Sequence, residues 1–392
     1  MNFSYSCSIC RRTFALEPQL TLCPECQREQ VADQPLSGVL EVVMAAPPEE
    51  PGDIFAWLPV EREFFPAVPV GNTPLWQPAN LRRRFGFAGL YLKDDGSNPT
   101  SSFKDRASFL VSAFAKKHRI GSIALASTGN AGSSMAGIGA AAGQSITLFL
   151  PKSAPAAKLI QALQYGSQVY RVDGSYDLAY DISLEYSRRR GGMNRNTAYN
   201  PMTIEGKKTV SLELFQQLGR APDVVFVPVG DGCILAGVYK GFRDLQQFGL
   251  IAAVPRIIGV QAKTSAALYH ALHSGNFVAE PTSTIADSIC VDVPRNGRLA
   301  LALLQQYGGE LITVEDAEII AAQAELSAST GLFTEPAGAA AYAGFVQTAA
   351  RLEADAVIVV LATGSGLKDS ATAQRGVTVP DRLISSVDDL HP

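Results

Sequence analysis

Lys104 sits where a lysine is electrostatically out of place. Residues 97–108 read SNPTSSFKDRAS, a polar loop that gives way at Phe103-Lys104-Asp105-Arg106 to the helical pattern ASFLVSAFAKKH. A helix N-terminus is partly positive, so it favours carboxylates and disfavours ammonium groups. Asp105 obeys that preference and Lys104 does not. Such a lysine is either solvated and incidental, or its charge is removed by chemistry, and an uncharged lysine amine is a nucleophile towards carbonyl carbon.

Cysteine offers a second chemistry. Cys7, Cys10, Cys23 and Cys26 form C-x2-C-x12-C-x2-C, while Cys233 and Cys290 stand alone. Each close pair spans a tight turn and supplies two tetrahedral ligands, so in a reducing compartment the four thiolates read as a zinc site. Four protein ligands leave no open position, which makes that metal structural. A disulfide reading requires export, and the N-terminus MNFSYSCSIC has neither the basic start nor the apolar core of a signal peptide. The four histidines, His118, His270, His273 and His391, fall in no motif.

The frame that positions these residues follows from composition and periodicity. With 392 residues, 47% of them hydrophobic, the chain can bury a large core and form more than one domain. A charged fraction of 18% and a net charge of -4 exclude a general attraction to nucleic acid or anionic membrane. No apolar run nears the roughly 18 residues of a membrane helix. A soluble, cytoplasmic protein is expected. The arginine runs at 82–84 and 188–190 read as solvated helix ends.

Short apolar runs are predicted as strands at 89–94, 122–127, 145–150, 167–172, 223–230, 256–261 and 356–364. Helices are predicted near 105–118, 131–143, 154–165, 175–190, 205–218, 233–248, 315–330 and 336–351. Strands apolar on both faces and separated by helices indicate an α/β fold with mainly parallel sheets covered on both sides. The stretch PPEEPGD at 47–53 reads as a linker.

Sites in such sheets lie at the C-terminal ends of strands, and four ends carry unusual residues. SIALAS runs into Thr128-Gly129-Asn130-Ala131-Gly132, where glycines admit an anion to a helix N-terminus and Asn130 adds an amide. A tight turn beneath a packed helix pair explains that motif equally well. DVVFVPVG runs into Gly230-Asp231-Gly232-Cys233-Ile234, a phosphate-cradle pattern lacking the Lys-Ser/Thr of a P-loop and the full dinucleotide fingerprint. Asp231 is expected to turn its side chain away from the phosphate. The last strand ends at Thr363-Gly364-Ser365-Gly366-Leu367-Lys368-Asp369, with a hydroxyl at Thr363. The fourth end leads to Lys104. An anion cradle, an amide, a hydroxyl and a deprotonatable lysine together match pyridoxal phosphate, held by the lysine as a Schiff base.

These motifs resemble those of threonine synthase. NPTSSFKDRAS is similar to its NPTGSFKDR segment, STGNAG to its asparagine loop, and TGSGLKD to its C-terminal TGxGLKD. The resemblance spans roughly residues 60 to 375 and implies a two-domain fold-type II pyridoxal-phosphate enzyme, like tryptophan synthase β, with twisted mainly parallel sheets flanked by helices. It implies a zinc ribbon over 1–30, a linker over 31–60, a large cofactor-binding domain from 61–111 and 203–385, and a small domain, 112–202, carrying the asparagine loop. It implies that Lys104 bonds the cofactor and shuttles protons, that Phe103 packs near its ring, and that Asn130 binds its phenolic oxygen. Gly230, Gly232, Cys233 and Ile234 would cradle the phosphate, and Thr363 would face the ring nitrogen. Ser127, Thr128 and Gly129 would hold the substrate carboxylate, with Ser101 and Ser102 at the substrate mouth. Glu335, in the shared EPA segment, is expected beside the site. A homodimer is expected by analogy.

The chain departs from the pattern at several points. The family segment NPYRIEGQKT reads NPMTIEGKKT here, so the arginine expected to grip substrate phosphate is Thr203. Lys158 and Lys207 are the candidates to replace its charge. The reaction expected first is threonine synthase, O-phosphohomoserine plus water giving threonine and phosphate. The alternative is a serine/threonine dehydratase or a β-replacement enzyme acting on a phosphoserine-like substrate. A remoter reading is an inactive body fused to a zinc-ribbon binding module. Intact Lys104 argues against it, as does the balance of Arg11, Arg12 and Arg28 by Glu17, Glu25 and Glu29.

Overall fold

The computed structural model describes residues 3–127, 129–152, 156–381 and 383–390, the side chains of 156–158 and 388 excepted. Its strands are β1 (Phe3–Cys7), β2 (Thr13–Phe14), β3 (Leu40–Met44), β4 (Leu75–Trp76), β5 (Leu90–Asp94), β6 (Ser122–Ala126), β7 (Ser145–Pro151), β8 (Gln168–Val172), β9 (Met193–Asn194), β10 (Val224–Pro228), β11 (Arg256–Ala262), β12 (Glu310–Val314) and β13 (Ile358–Ala362). Its helices are α1 (Ala79–Phe85), α2 (Lys104–Lys117), α3 (Asn130–Ala142), α4 (Ala156–Gln164), α5 (Tyr176–Arg190), α6 (Met202–Lys207), α7 (Thr209–Leu218), α8 (Cys233–Gln247), α9 (Ala267–Ser274), α10 (Gly297–Tyr307), α11 (Asp316–Thr330), α12 (Pro336–Thr348) and α13 (Ser370–Ala373).

The central sheet has the order β12-β11-β10-β13-β5-β4 and is parallel except for the edge strand β4. Every residue of VVFVP in β10 and IVVLA in β13 is buried. Burying each such aliphatic or aromatic side chain stabilises by roughly 1.5–3 kcal/mol, which seats these two strands mid-sheet. The second sheet, β8-β7-β6-β9, is wholly parallel.

Residues 31–60 are not a free linker. LEVVM at 40–44 forms β3, which pairs antiparallel with β1 in a three-stranded sheet, β2-β1-β3. Its alternating apolar residues complete a core that joins Tyr5, Cys7 and Cys23 to Phe109, Leu110 and Phe114 of α2. Residues 31–33 and the acidic, proline-rich stretch after Met44 are largely exposed.

Beneath Lys104, α2 is anchored by Arg106. This fully buried guanidinium pairs with Asp95 at 2.6 Å and with Glu213 at 2.6 Å, and Glu213 also accepts from Lys93 at 2.8 Å.

Candidate active site

Three of the four sequence-predicted strand ends meet because their strands are neighbours. The parallel strands β10, β13 and β5 lie side by side. The Gly230 turn, Thr363 and the loop to Lys104 therefore emerge together at one edge. The fourth, Asn130, arrives from β6 of the second sheet as the first residue of α3.

The Lys104 loop is stitched to the loop after β13 by backbone. The Phe103 N–H donates to the Thr363 carbonyl at 2.8 Å, and the Ser365 N–H donates to the Ser101 carbonyl at 3.0 Å. Ser101 holds φ +65°, a left-handed conformation that favours glycine. Phe103 is fully buried, with the Arg106 guanidinium 5.6 Å over its ring. Ser102 is buried and its hydroxyl has no partner, and the Thr363 hydroxyl makes no hydrogen bond among the described residues. Lys104 is half-buried. Burial pushes its ammonium pKa down, while the Asp231 and Glu335 carboxylates pull it back.

A cavity of about 390 Å³ opens beside the Ser101 turn, lined by Ser101, Gly129, Asn130, Ser133, Glu335 and Lys368, among others, while Lys104, Thr363 and the Gly230 turn do not line it. The Asn130 amide donates to both Glu335 oxygens at 2.9 Å and to Ser288 Oγ at 3.1 Å. Burial raises the Glu335 pKa against the opposing pull of Asn130 and Lys104. Lys368 Nζ donates to Thr100 O, Ser133 Oγ and Gln161 Oε1 at 2.7–3.0 Å, tying the loop after β13 to α3 and α4. Ser127 spends its hydroxyl accepting from the Gly132 and Gly129 N–H groups. Thr128 and the Lys158 side chain lie outside the described residues.

At the α8 N-terminus Gly232 holds φ +86°, and a Cβ there would come within 2.7 Å of Ala300. Asp231 does not turn away as expected. Its Oδ1 accepts the Cys233 N–H at 3.1 Å, because a helix N-terminus leaves that donor free for a nearby carboxylate. Thr203 is fully buried and its hydroxyl donates to the Asn200 carbonyl at 2.7 Å. Two buried cations lie near the cradle. Lys207 Nζ has no hydrogen-bond partner, and Arg195, which no motif marked, leaves its Nε unpaired. Arg195 is the sole charged residue in GGMNRNTAYNPMTI at 191–204, a lone charge among uncharged neighbours, which is the signal that could have found it.

The family model described as pyridoxal-phosphate dependent enzyme matches residues 67–364. This chain belongs to that family. It is 34% identical over 320 residues to a threonine synthase of Methanocaldococcus jannaschii, covering 80% of this chain and 79% of the relative. It is 35% identical over 312 residues to a threonine synthase of Halalkalibacterium halodurans, covering 79% and 86%. Among solved structures, threonine deaminase isoform 2 from Solanum lycopersicum superposes with TM-score 0.68 at 24% identity, covering 79% of this chain and 89% of that one. Maize serine racemase gives 0.67 at 23%, covering 78% and 91%. At such identities these two show a shared fold. The donor set suits the family's cofactor: an amine of lowered pKa, an unpartnered hydroxyl, a glycine cradle on a 15-residue helix and buried cations without carboxylates.

The four cysteines of the N-terminal segment form a separate cluster, their sulfurs within 4.8 Å of one another and none in a disulfide. Cys7 and Cys26 are 3.7 Å apart, as are Cys10 and Cys23. Tetrahedral sulfurs 2.3 Å from a zinc ion are about 3.8 Å apart, so the spacing suits that metal. No described helix is long and apolar enough to cross a membrane.

Proposed function

We propose that the protein is a pyridoxal-phosphate-dependent carbon–oxygen lyase of the threonine synthase type, acting on O-phosphohomoserine and water to give threonine and phosphate. One observation carries the reading. A lysine of depressed pKa, Lys104, follows a loop that Phe103 and Ser101 fasten by backbone hydrogen bonds to the loop after β13, in a chain about a third identical to threonine synthases over most of its length.

Bound at Lys104, the cofactor supplies an electron sink for charge developing on the amino acid's carbons. The chain's residues do the rest. Lys104 binds the cofactor and moves protons at the substrate carbons, a role suited to an amine whose proton is loosely held. Gly230, Gly232, Cys233 and Ile234 bring backbone N–H groups and the α8 dipole to a phosphate. Asn130 and Thr363 orient the ring, with Glu335 fixing the Asn130 amide. Gly129, Thr128 and Ser127 receive the substrate carboxylate, and Ser101 and Ser102 border its entry. A structural zinc held by Cys7, Cys10, Cys23 and Cys26 closes the N-terminal sheet, and free thiolates of this kind suit a reducing compartment such as the cytoplasm.

A dehydratase or β-replacement enzyme on a phosphoserine-like substrate is the second reading. The spent hydroxyl of Thr203 favours it, since no cation stands at that position. The visible spectrum of the purified protein, followed by addition of O-phosphohomoserine, threonine, serine and O-phosphoserine with phosphate and ketoacid assays, separates the two. Phosphate released only from O-phosphohomoserine supports the first. Inertness towards it, with turnover of another of these amino acids, moves the assignment to the second.

A further inference from the structure

Among the described residues six cationic side chains are buried: Lys93, Arg106, Arg195, Lys207, Lys208 and Lys240. Four have carboxylate partners. Lys93 and Arg106 share Glu213, and Lys208 and Lys240 share Glu205 and Asp244. Arg195 and Lys207 have none. Arg195 reaches only the hydroxyls of Thr197 at 3.0 Å and Ser108 at 3.4 Å, and Lys207 Nζ reaches nothing. A buried charge without a partner is costly and is retained only where something else compensates it.

Each unpaired cation lies beside an element of the site: Arg195 Nη2 reaches Ser108, one turn after Lys104 on α2, and Lys207 packs on α8. A Cβ on Gly237 would come within 2.5 Å of Lys207 Cβ, so the lysine stem rests against the second turn of α8. Cys233 stands one turn earlier on that face, and the Asp231 carboxylate beside it acts on both cations. The free N–H groups of the α8 N-terminus add their own positive end. The resident counter-charge is one carboxylate, Asp231.

We propose that Arg195 and Lys207 form a buried two-cation clamp for a phosphoryl dianion at the mouth of α8. The cofactor's phosphate and a phosphoryl group on the substrate share this chemistry, and only the substrate alternative rests on the function proposed above. Thr203 is excluded from the clamp by its bond to Asn200.

The test compares wild-type protein with Lys207→Gln, Arg195→Gln and Asp231→Asn, in cofactor-stripped and cofactor-loaded forms. Pyridoxal phosphate and inorganic phosphate are titrated into each and followed by calorimetry and thermal shift. Lys207→Gln and Arg195→Gln are expected to weaken phosphoryl binding by roughly 10- to 100-fold each, the scale of a lost charged hydrogen bond. Asp231→Asn is expected to tighten it. Lys207→Gln is also expected to raise the melting temperature of the unliganded protein, because an unpaired buried charge has gone. If the clamp serves the cofactor, the variants lose affinity for pyridoxal phosphate and the loaded enzyme shows no clamp-dependent binding of inorganic phosphate. If it serves the substrate, cofactor affinity holds and loaded wild-type protein binds inorganic phosphate in a manner the variants lose. Wild-type affinities for both probes in Lys207→Gln and Arg195→Gln would overturn the clamp, as would a lower unliganded melting temperature for Lys207→Gln. Absence of phosphate release from O-phosphohomoserine sinks the proposed reaction and leaves these titrations readable.

Discussion

The Asn130 amide lies 2.9 Å from both carboxylate oxygens of Glu335, joining the first residue of α3 to the residue that precedes α12. Two helix N-termini thus meet over one carboxylate, and its charge acts on Lys104 as well as on Asn130. Glu335→Gln keeps a side chain of the same shape and removes the charge. The Lys104 ammonium then loses a stabilising neighbour and its pKa falls further. Amine-reactive labelling of cofactor-stripped protein across a pH series, with Lys104 followed by mass spectrometry, should show the midpoint moving down. An unchanged midpoint would show that Glu335 does not tune the lysine.

Acid sensitivity should arise at Glu213. Arg106 and Lys93 hold its carboxyl down to about 2, below the ordinary value of 4.5. A depressed carboxyl contributes stability that is fully present above pH 4.5 and is lost as pH falls towards 2. Glu213→Gln should flatten that limb of the unfolding profile. Near neutral pH it should cost roughly 3–5 kcal/mol, because Arg106 and Lys93 lose a buried partner. Denaturant unfolding at several pH values tests both effects.

Sulfate, whose charge is constant above pH 3, isolates the titration of Lys207. Burial lowers this lysine from 10.5 to about 8, with Lys104 and Arg195 pushing the same way and Cys233 and Asp231 opposing. Sulfate affinity in the cofactor-stripped protein should fall as pH rises through about 8, and Lys207→Gln should abolish that dependence. The unliganded protein should gain stability between pH 8 and 10.5, where the unfolded chain binds the extra proton.

Ser101→Gly should raise stability. Serine at φ +65° bears strain of ~1 kcal/mol that glycine escapes. Differential scanning calorimetry should show a small upward shift in melting temperature, and a downward shift would mean that Ser101 side-chain contacts outweigh the strain.

Cys10→Ser should strip metal from the N-terminal sheet. Because Cys7 and Cys23 share a core with α2, the loss should lower the melting temperature of the whole chain. Elemental analysis alongside thermal unfolding checks this. A variant without metal and with unchanged melting would uncouple the two.

The strands most plainly legible in the sequence are two whose residues are buried on both faces. β10 and β13 are unbroken apolar runs bounded by polar turns, and a parallel mid-sheet strand has no other signature. β12 was missed because ELITV at the sheet edge is only partly buried, which breaks its apolar pattern. The helix predicted over 205–218 is two, α6 and α7, meeting at Lys208, whose buried ion pairs do not show in periodicity. At the site, Lys104, Asn130, Thr363 and the glycine turn were legible because each ends or follows a strand. Arg195 was not, since its importance lies in pairing with no carboxylate, and that is a property of three-dimensional neighbours. Asp231 was misread because its capping bond to Cys233 depends on the local turn geometry.

The position of β13 sets an order of events during synthesis. It is the last strand in chain order among the described residues, ending at Ala362, yet it lies between β10 and β5. Until it emerges, both neighbours present open parallel edges, the kind of surface on which chains associate wrongly. The nascent chain therefore cannot finish this sheet from one end to the other. Lys104 waits through some 260 further residues before the carbonyl of Thr363 exists to receive the Phe103 N–H. A ribosome that stalls before residue 358 releases a chain with its chemistry encoded and its central sheet split in two.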